Sequence, residues 1–125
     1  MIGRYGPPIF QILRGLEGAY NVALMKAIPK KNILNDYLFY FLKNRSIQKY
    51  VVEKSSRAAG QTGVNKDSLD PYPINLPSLE IQKDILEKVE KFNSQIEILL
   101  NLGQEKIQEL LSLRRSILFD QMQNK

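Results

Sequence analysis

LEIQKDILEKVEKFNSQIEILLNLGQEKIQELLSLRRSILFDQMQNK, residues 79–125, is the stretch on which the fold turns. It holds no proline and a single glycine, Gly103, so nothing in it stops a helix once one has started. Ser78 stands where an N-cap is wanted, and Glu80 and Asp84 follow near the positive end of the helix dipole. Ile85, Val89, Phe92 and Ile96 step by four and three, the apolar stripe slips at Leu99/Leu100, and it continues through Ile107, Leu110/Leu111 and Ile117/Leu118. Unbroken, such a helix would run about 45 residues, roughly 65 Å at 1.5 Å per residue. A domain built from residues 1–77 is too small to cover that length, so part of the stripe is expected to pack on another helix. An antiparallel homodimer is the expected closed solution, with Ile85, Val89, Phe92, Ile96, Leu100, Ile107, Leu110, Leu111 and Leu118 facing the partner. A kink at Gly103 would instead give a hairpin of two shorter helices.

Upstream of the helix the charge changes. The 125 residues carry a net charge of +5, but residues 1–77 hold 11 Lys/Arg against 5 Asp/Glu, whereas residues 78–125 hold 7 against 8. The basic excess belongs to the first part, and a polyanion, nucleic acid foremost, is the partner such a bias attracts. An apolar content of 43% with 9% aromatics fits a globular protein. The absence of Cys removes disulfides, thiolate nucleophiles and Cys-ligated zinc, and the absence of His removes the usual general base and the commonest metal ligand. A non-enzyme without cofactor or metal is expected. No apolar run reaches bilayer length and no charged start precedes one at the N-terminus, so the expectation is a cytoplasmic protein with no membrane contact.

Within residues 1–77 the pattern is that of a small α+β domain with a few strands and two short helices. Gly6-Pro7-Pro8 makes a rigid turn before the short extended run Ile9 to Leu13, and Ala19 to Ile28 reads as a half-buried strand stopped by Pro29. Asn35 can cap a helix with the body Asp36 to Lys43, and Ser46 a second through Ile47, Tyr50, Val51 and Val52. These two helices should cover the sheet. Tyr72 to Leu76 reads as a short edge strand, since Pro71 and Pro73 cannot donate to a central ladder. Residues 1–77 and 78–125 are thus expected to form two parts.

Between Glu53 and Asp70 the sequence turns small, polar and basic, with little to bury, which is the composition of a binding loop. Lys54, Arg57, Gln61, Thr62, Asn65 and Lys66 combine phosphate-seeking charges with groups that read base edges: Arg for guanine, Gln or Asn for adenine, Thr for the thymine methyl. Arg4 and Tyr5 form a smaller set of the same kind. Other motifs carry less. Asp70-Pro71-Tyr72-Pro73 has the wrong order for the amine-holding motif of adenine methyltransferases, and no glycine-rich turn after a strand accompanies it. Gly15-Leu16-Glu17-Gly18 puts an acid where a KH-type clamp is basic and reads as a turn. Asp67 and Asp70 fit turn or helix caps better than a metal pair.

Three segments together resemble the specificity (S) subunit of type I restriction-modification enzymes. The first comprises Gly3-Arg4-Tyr5-Gly6, Asn21-Val22-Ala23, Ile28-Pro29-Lys30-Lys31 and Tyr37 to Lys43, and it is similar to the second half of a target-recognition domain. The second, Gly60 to Leu69, resembles that domain's polar loop; the third, Ile74-Asn75-Leu76-Pro77-Ser78-Leu79-Glu80-Ile81-Gln82, resembles the approach to its long helix. The resemblance implies a subunit that reads one half of a bipartite site on double-stranded DNA and does no chemistry. Its long helix would act as spacer and as dock for the methyltransferase subunit, and through that for the restriction subunit. Measured against that family, the chain is expected to start within a recognition domain and to carry one long helix where a full subunit carries two. The rival reading is a structural coiled-coil adaptor whose basic domain binds protein or RNA.

Overall fold

The chain's computed structural model describes residues 1–6, 8–15, 18–57 and 63–123, with the side chains of Ser56 and Arg57 excepted. Six elements follow in order: β1 (Ile2–Gly3), β2 (Leu24–Met25), α1 (Asn35–Leu42), α2 (Arg45–Arg57), α3 (Lys66–Leu69) and α4 (Leu79–Gln123). The described residues are therefore mostly helical with two short strands, α+β only in a loose sense. By contacts it divides into two units, Met1–Leu86 and Glu87–Lys125.

In the first unit, β1 pairs antiparallel with β2, Ile2 opposite Met25 and Gly3 opposite Leu24. On its other side Ile2 bridges to Ile12, and the main chain of Gly3 exchanges hydrogen bonds with Gln11 (2.7 Å) and Phe10 (3.1 Å). Phe10 adopts a φ of 62° in returning the chain to β1, a left-handed conformation that an aromatic residue accepts only when something holds it. Here burial does so, since the Phe10 side chain is 2% exposed. Ile2 and Phe10 share one core with Leu42 of α1, Ile47 and Val51 of α2, and Val64.

Several expectations change at this level. The strand expected over Ala19–Ile28 is ladder-paired only at Leu24–Met25, and Tyr72–Leu76 is irregular. The prolines at 71 and 73 remove main-chain donors, and the main chain of Tyr72 turns back to Leu69 (2.9 Å) instead of joining a sheet. Helix α1 begins at Asn35, one residue earlier than expected, with Leu34 at the N-cap. Asn44, not Ser46, caps α2: its Oδ1 accepts from the Ser46 N–H at 2.8 Å. Among the described residues of the polar segment, α2 runs on through Lys54 to Arg57 and a third short helix, α3, covers Lys66–Leu69.

Helix α4 spans 45 residues without a break, so Gly103 does not divide it. Ser78 Oγ accepts from the Ile81 N–H (3.4 Å), a long N-cap bond. Gln82, within the first turns of the helix, is 0% exposed. Its Oε1 accepts from the Leu34 N–H (2.9 Å) while its Nε2 donates to the Asn32 carbonyl (3.0 Å) and the Pro77 carbonyl (2.9 Å). Leucine has no side-chain acceptor with which to cap a helix, and α1 has no side-chain cap bond; the amide of Gln82, brought from 48 residues away, accepts from the main-chain N–H of Leu34, the N-cap residue itself. Tyr37 Oη adds a bond to the Asn75 carbonyl (3.2 Å). The start of α4 is thereby fixed to the start of α1, which draws the first turns of the helix into the first unit.

Candidate nucleic-acid interface

Three chain segments meet at Arg4. Its N–H donates to the Ala23 carbonyl and its carbonyl accepts from the Val64 N–H, both at 2.9 Å. The guanidinium continues the pattern, with Nε donating to the Val64 carbonyl (3.0 Å) and one terminal nitrogen to the Val22 carbonyl (3.1 Å). It also lies 5.1 Å from the centroid of the Tyr5 ring. Arg4 is half-buried, and these bonds make it a staple between β1, the approach to β2, and the segment that closes the polar stretch. An Arg committed to two main-chain carbonyls is less free to fork onto a guanine.

Tyr5 is half exposed and packs against Gly63. A Cβ on that glycine would lie 2.6 Å from Tyr5 Cε1, so only glycine allows the approach. The next residue, Val64, is fully buried in the core. The end of the polar segment is thus pinned at three consecutive points: Gly63 on the tyrosine ring, Val64 in the core and on Arg4, and Asn65 at the cap of α3.

Asn65 makes a reciprocal capping box with Ser68. Its Oδ1 accepts from the Ser68 N–H (2.8 Å) and from the Ser68 hydroxyl, which in turn accepts from the Asn65 N–H (3.2 Å). Reading adenine needs an amide that accepts and donates together. With its oxygen already holding two donors, Asn65 retains only its Nδ2 hydrogens for a ligand. Lys66, well exposed, stands 3.7 Å from Asp70 in an i,i+4 pair, which leaves its ammonium accessible to a phosphate. Lys54, exposed on α2, has its Nζ 5.7 Å from the Tyr50 ring centroid, and Tyr50 in turn packs on Tyr72 at 5.0 Å. Arg57 ends α2, but its side chain, like Gln61 and Thr62, lies outside the described residues.

A second basic feature escaped the sequence reading. Arg14 pairs with Asp36 at the start of α1, and its guanidinium stacks 4.2 Å from the centroid of Phe39, which also has Lys43 Nζ at 5.0 Å. Arg14, Asp36 and Phe39 line an open cleft of about 520 Å³ together with Ile12, Leu24, Leu38 and Leu42. The only sequence signal was Phe39 itself, an aromatic on the half-exposed part of α1. Among the described residues no group of three or more His, Cys, Asp or Glu is placed to hold a metal ion, and no helix is long and apolar enough to cross a membrane. Asp70, weighed as half of a metal pair with Asp67, is instead the partner of Lys66.

Along α4 the expected partner residues are exposed for the most part, from Ile85 at 37% to Phe92 at 64% and Leu100 at 66%, with Val89 partly covered. Ile85, Ile96, Ile107, Leu110 and Leu118 join them.

The family model described as type I restriction modification DNA specificity domain covers residues 12–109. The match takes in β2, α1, α2, α3, the whole polar segment and most of α4, and starts downstream of Arg4 and Tyr5. No solved structure matches the chain.

Proposed function

The chain belongs to the family of type I restriction modification DNA specificity domains, and from that premise we propose that it reads duplex DNA with residues 1–77 and assembles with other subunits through α4. The observation that carries the reading is the family match across a basic segment whose exit is held rigid by Arg4, Tyr5 and the Asn65 cap. In this reading Lys54, Lys66 and Arg57 supply phosphate contacts, with Arg57 also a candidate for guanine. Gln61, Thr62 and the Asn65 amide face bases, and Tyr5 supports the reading segment. Arg4 acts from behind, by position. The protein performs no chemistry and needs no cofactor, and it works in the cytoplasm, where the DNA is. Helix α4 serves two partners: a second copy of the chain, giving a homodimer, and the methyltransferase subunit, through which the restriction subunit is reached.

Duplex binding measured across a salt series is the test. Affinity that falls steeply with salt and drops when Lys54, Arg57 and Lys66 are replaced together supports the reading. Salt-insensitive binding, or binding untouched by the triple substitution, removes the polar segment as the reading surface. Preference for RNA or for a protein would favour the adaptor. For assembly, light scattering should find a dimer that Leu100→Glu with Ile107→Glu converts to a monomer.

A further inference from the structure

Among the described residues of the first unit, Val22 is the most exposed large apolar side chain, at 80%. It stands on a turn held by four hydrogen bonds. Asn21 Oδ1 accepts from the Ala23 N–H (3.0 Å) and the Asn21 carbonyl from the Leu24 N–H (3.1 Å), which closes the turn on itself. The Arg4 N–H donates to the Ala23 carbonyl (2.9 Å), and the Arg4 guanidinium to the carbonyl of Val22 itself (3.1 Å). The main chain of Val22 is thus fixed while its side chain stands in solvent. The same guanidinium holds the Val64 carbonyl at 3.0 Å. Two carbonyls bound to the nitrogens of one planar fork lie within about 8 Å of each other. A rigid turn carrying an apolar knob is therefore set beside the exit of the polar segment, where Asn65 and Lys66 follow Val64.

From this we propose that Val22 is a base-reading residue, its methyl groups meeting the C5-methyl of one thymine in the major groove, in the half-site approached by the polar segment. The proposal rests on the DNA reading above and adds to it a second chain segment and a base. Valine has neither donor nor acceptor, and the apolar group that a base pair presents in the major groove is the thymine methyl. Burial of one against the other removes both from water. The branch at Cβ leaves Val22 few rotamers, so little side-chain freedom is lost on contact. Side chains that pry base steps apart from the minor groove are Phe, Leu, Ile, Met and Pro, and the short valine is not of that kind. Single exposed apolar residues are common on any surface and need no function. Val22 differs because its turn is fixed and because the guanidinium it shares with Val64 sets it against the reading segment. Arg4 is then a positioning residue for both segments, its fork holding the distance between them.

The test is enrichment of duplexes from a randomised pool by binding to the full chain. Wild type should enrich a sequence with a required A·T pair, and Val22→Ser should lose that one requirement while keeping the others. At 80% exposure the substitution leaves the core untouched. In the enriched duplex, deoxyuridine in place of that thymine removes only the methyl. It should weaken wild type about fourfold, the factor for one methyl-sized group, and leave Val22→Ser unaffected. Val22→Thr keeps one methyl and should keep the dependence on thymine. Equal weakening of wild type and Val22→Ser by deoxyuridine overturns the proposal. So does a serine variant that enriches the same sequence as wild type, or a wild-type sequence with no required A·T pair. In each of these cases the DNA reading itself stands. A wild-type chain that binds no duplex, or enriches none, overturns that reading and the part of Val22 with it.

Discussion

Gly63 and Tyr5 form a contact that only an absent side chain allows. A Cβ 2.6 Å from Tyr5 Cε1 forces the ring to move, and moving it disturbs the Arg4 staple and the exit of the polar segment together. Gly63→Ala is expected to cost about 1–3 kcal/mol, in the range of overpacking at a close contact. In the Tyr5→Ala background the same change should cost little, and a double-mutant cycle by chemical denaturation measures the difference. Additive losses would mean that the ring does not oppose the glycine. Asn65 poses a different question, since its oxygen caps α3. Asn65→Ala should cost about 0.5–2 kcal/mol, whereas Asn65→Ser keeps a capping oxygen and should keep most of the stability. If DNA affinity falls in both, the Nδ2 donors contribute to binding; if only the alanine variant weakens binding, the cap is what matters. From sequence alone Asn65 reads as a base contact and Arg4 as a DNA contact, and the structure adds that both side chains also hold local partners of their own. The residue types allow those roles, but the choice depends on which local main-chain groups claim the side chains first, and that is set by tertiary placement.

At the scale of elements, legibility followed the strength of periodicity. Helix α4 was readable from Ser78 onward because its stripe repeats over many turns with no breaker, and its observed 45 residues agree with the expected length. The strands were over-read, since a run such as Ala19–Ile28 has strand-like composition but pairs only where β1 passes beside it. The capping of α1 could not be foreseen, because its partner amide comes from Gln82. That side chain makes three partly buried bonds, and its loss would leave the Leu34 N–H and the Asn32 and Pro77 carbonyls without them. Unpaired buried groups cost about 1–3 kcal/mol each, so Gln82→Ala should lose at least about 2 kcal/mol. Gln82→Glu should fare no better, because a carboxylate keeps the acceptor but turns a charge toward two carbonyl oxygens. Urea midpoints of the three proteins check this, and a glutamate variant as stable as wild type would show that the two carbonyls find other donors.

For the molecule as a whole, the division of charge is the feature that sequence displayed most directly. The basic excess lies in residues 1–77, and the long helix is near neutral and apolar on one face, an arrangement that separates attraction to a polyanion from association with protein. The expected boundary at residue 77 and the observed change between Leu86 and Glu87 differ by the first turns of α4, which the Gln82 bonds hold in the first unit.

This separation makes a prediction at the same scale. If the polycation and the apolar face of α4 work independently, raising salt should strip DNA from the protein without dissociating the dimer, because counterion release governs the first and apolar burial the second. Each phosphate-neutralising lysine contributes about 1 to the slope of log affinity against log salt, so Lys54→Ala and Lys66→Ala should each lower the slope by about that amount. Lys66 is the more informative of the two, since its pairing with Asp70 at 3.7 Å is loose and exposed. Should Lys66 stay with Asp70 in the complex, its substitution would leave the slope unchanged while Lys54→Ala still lowered it. Titrations at four salt concentrations, with sedimentation at each to follow the dimer, read both quantities on the same samples. A dimer that dissociates in step with DNA release would show that duplex, and not the apolar face of α4, is what holds two copies together.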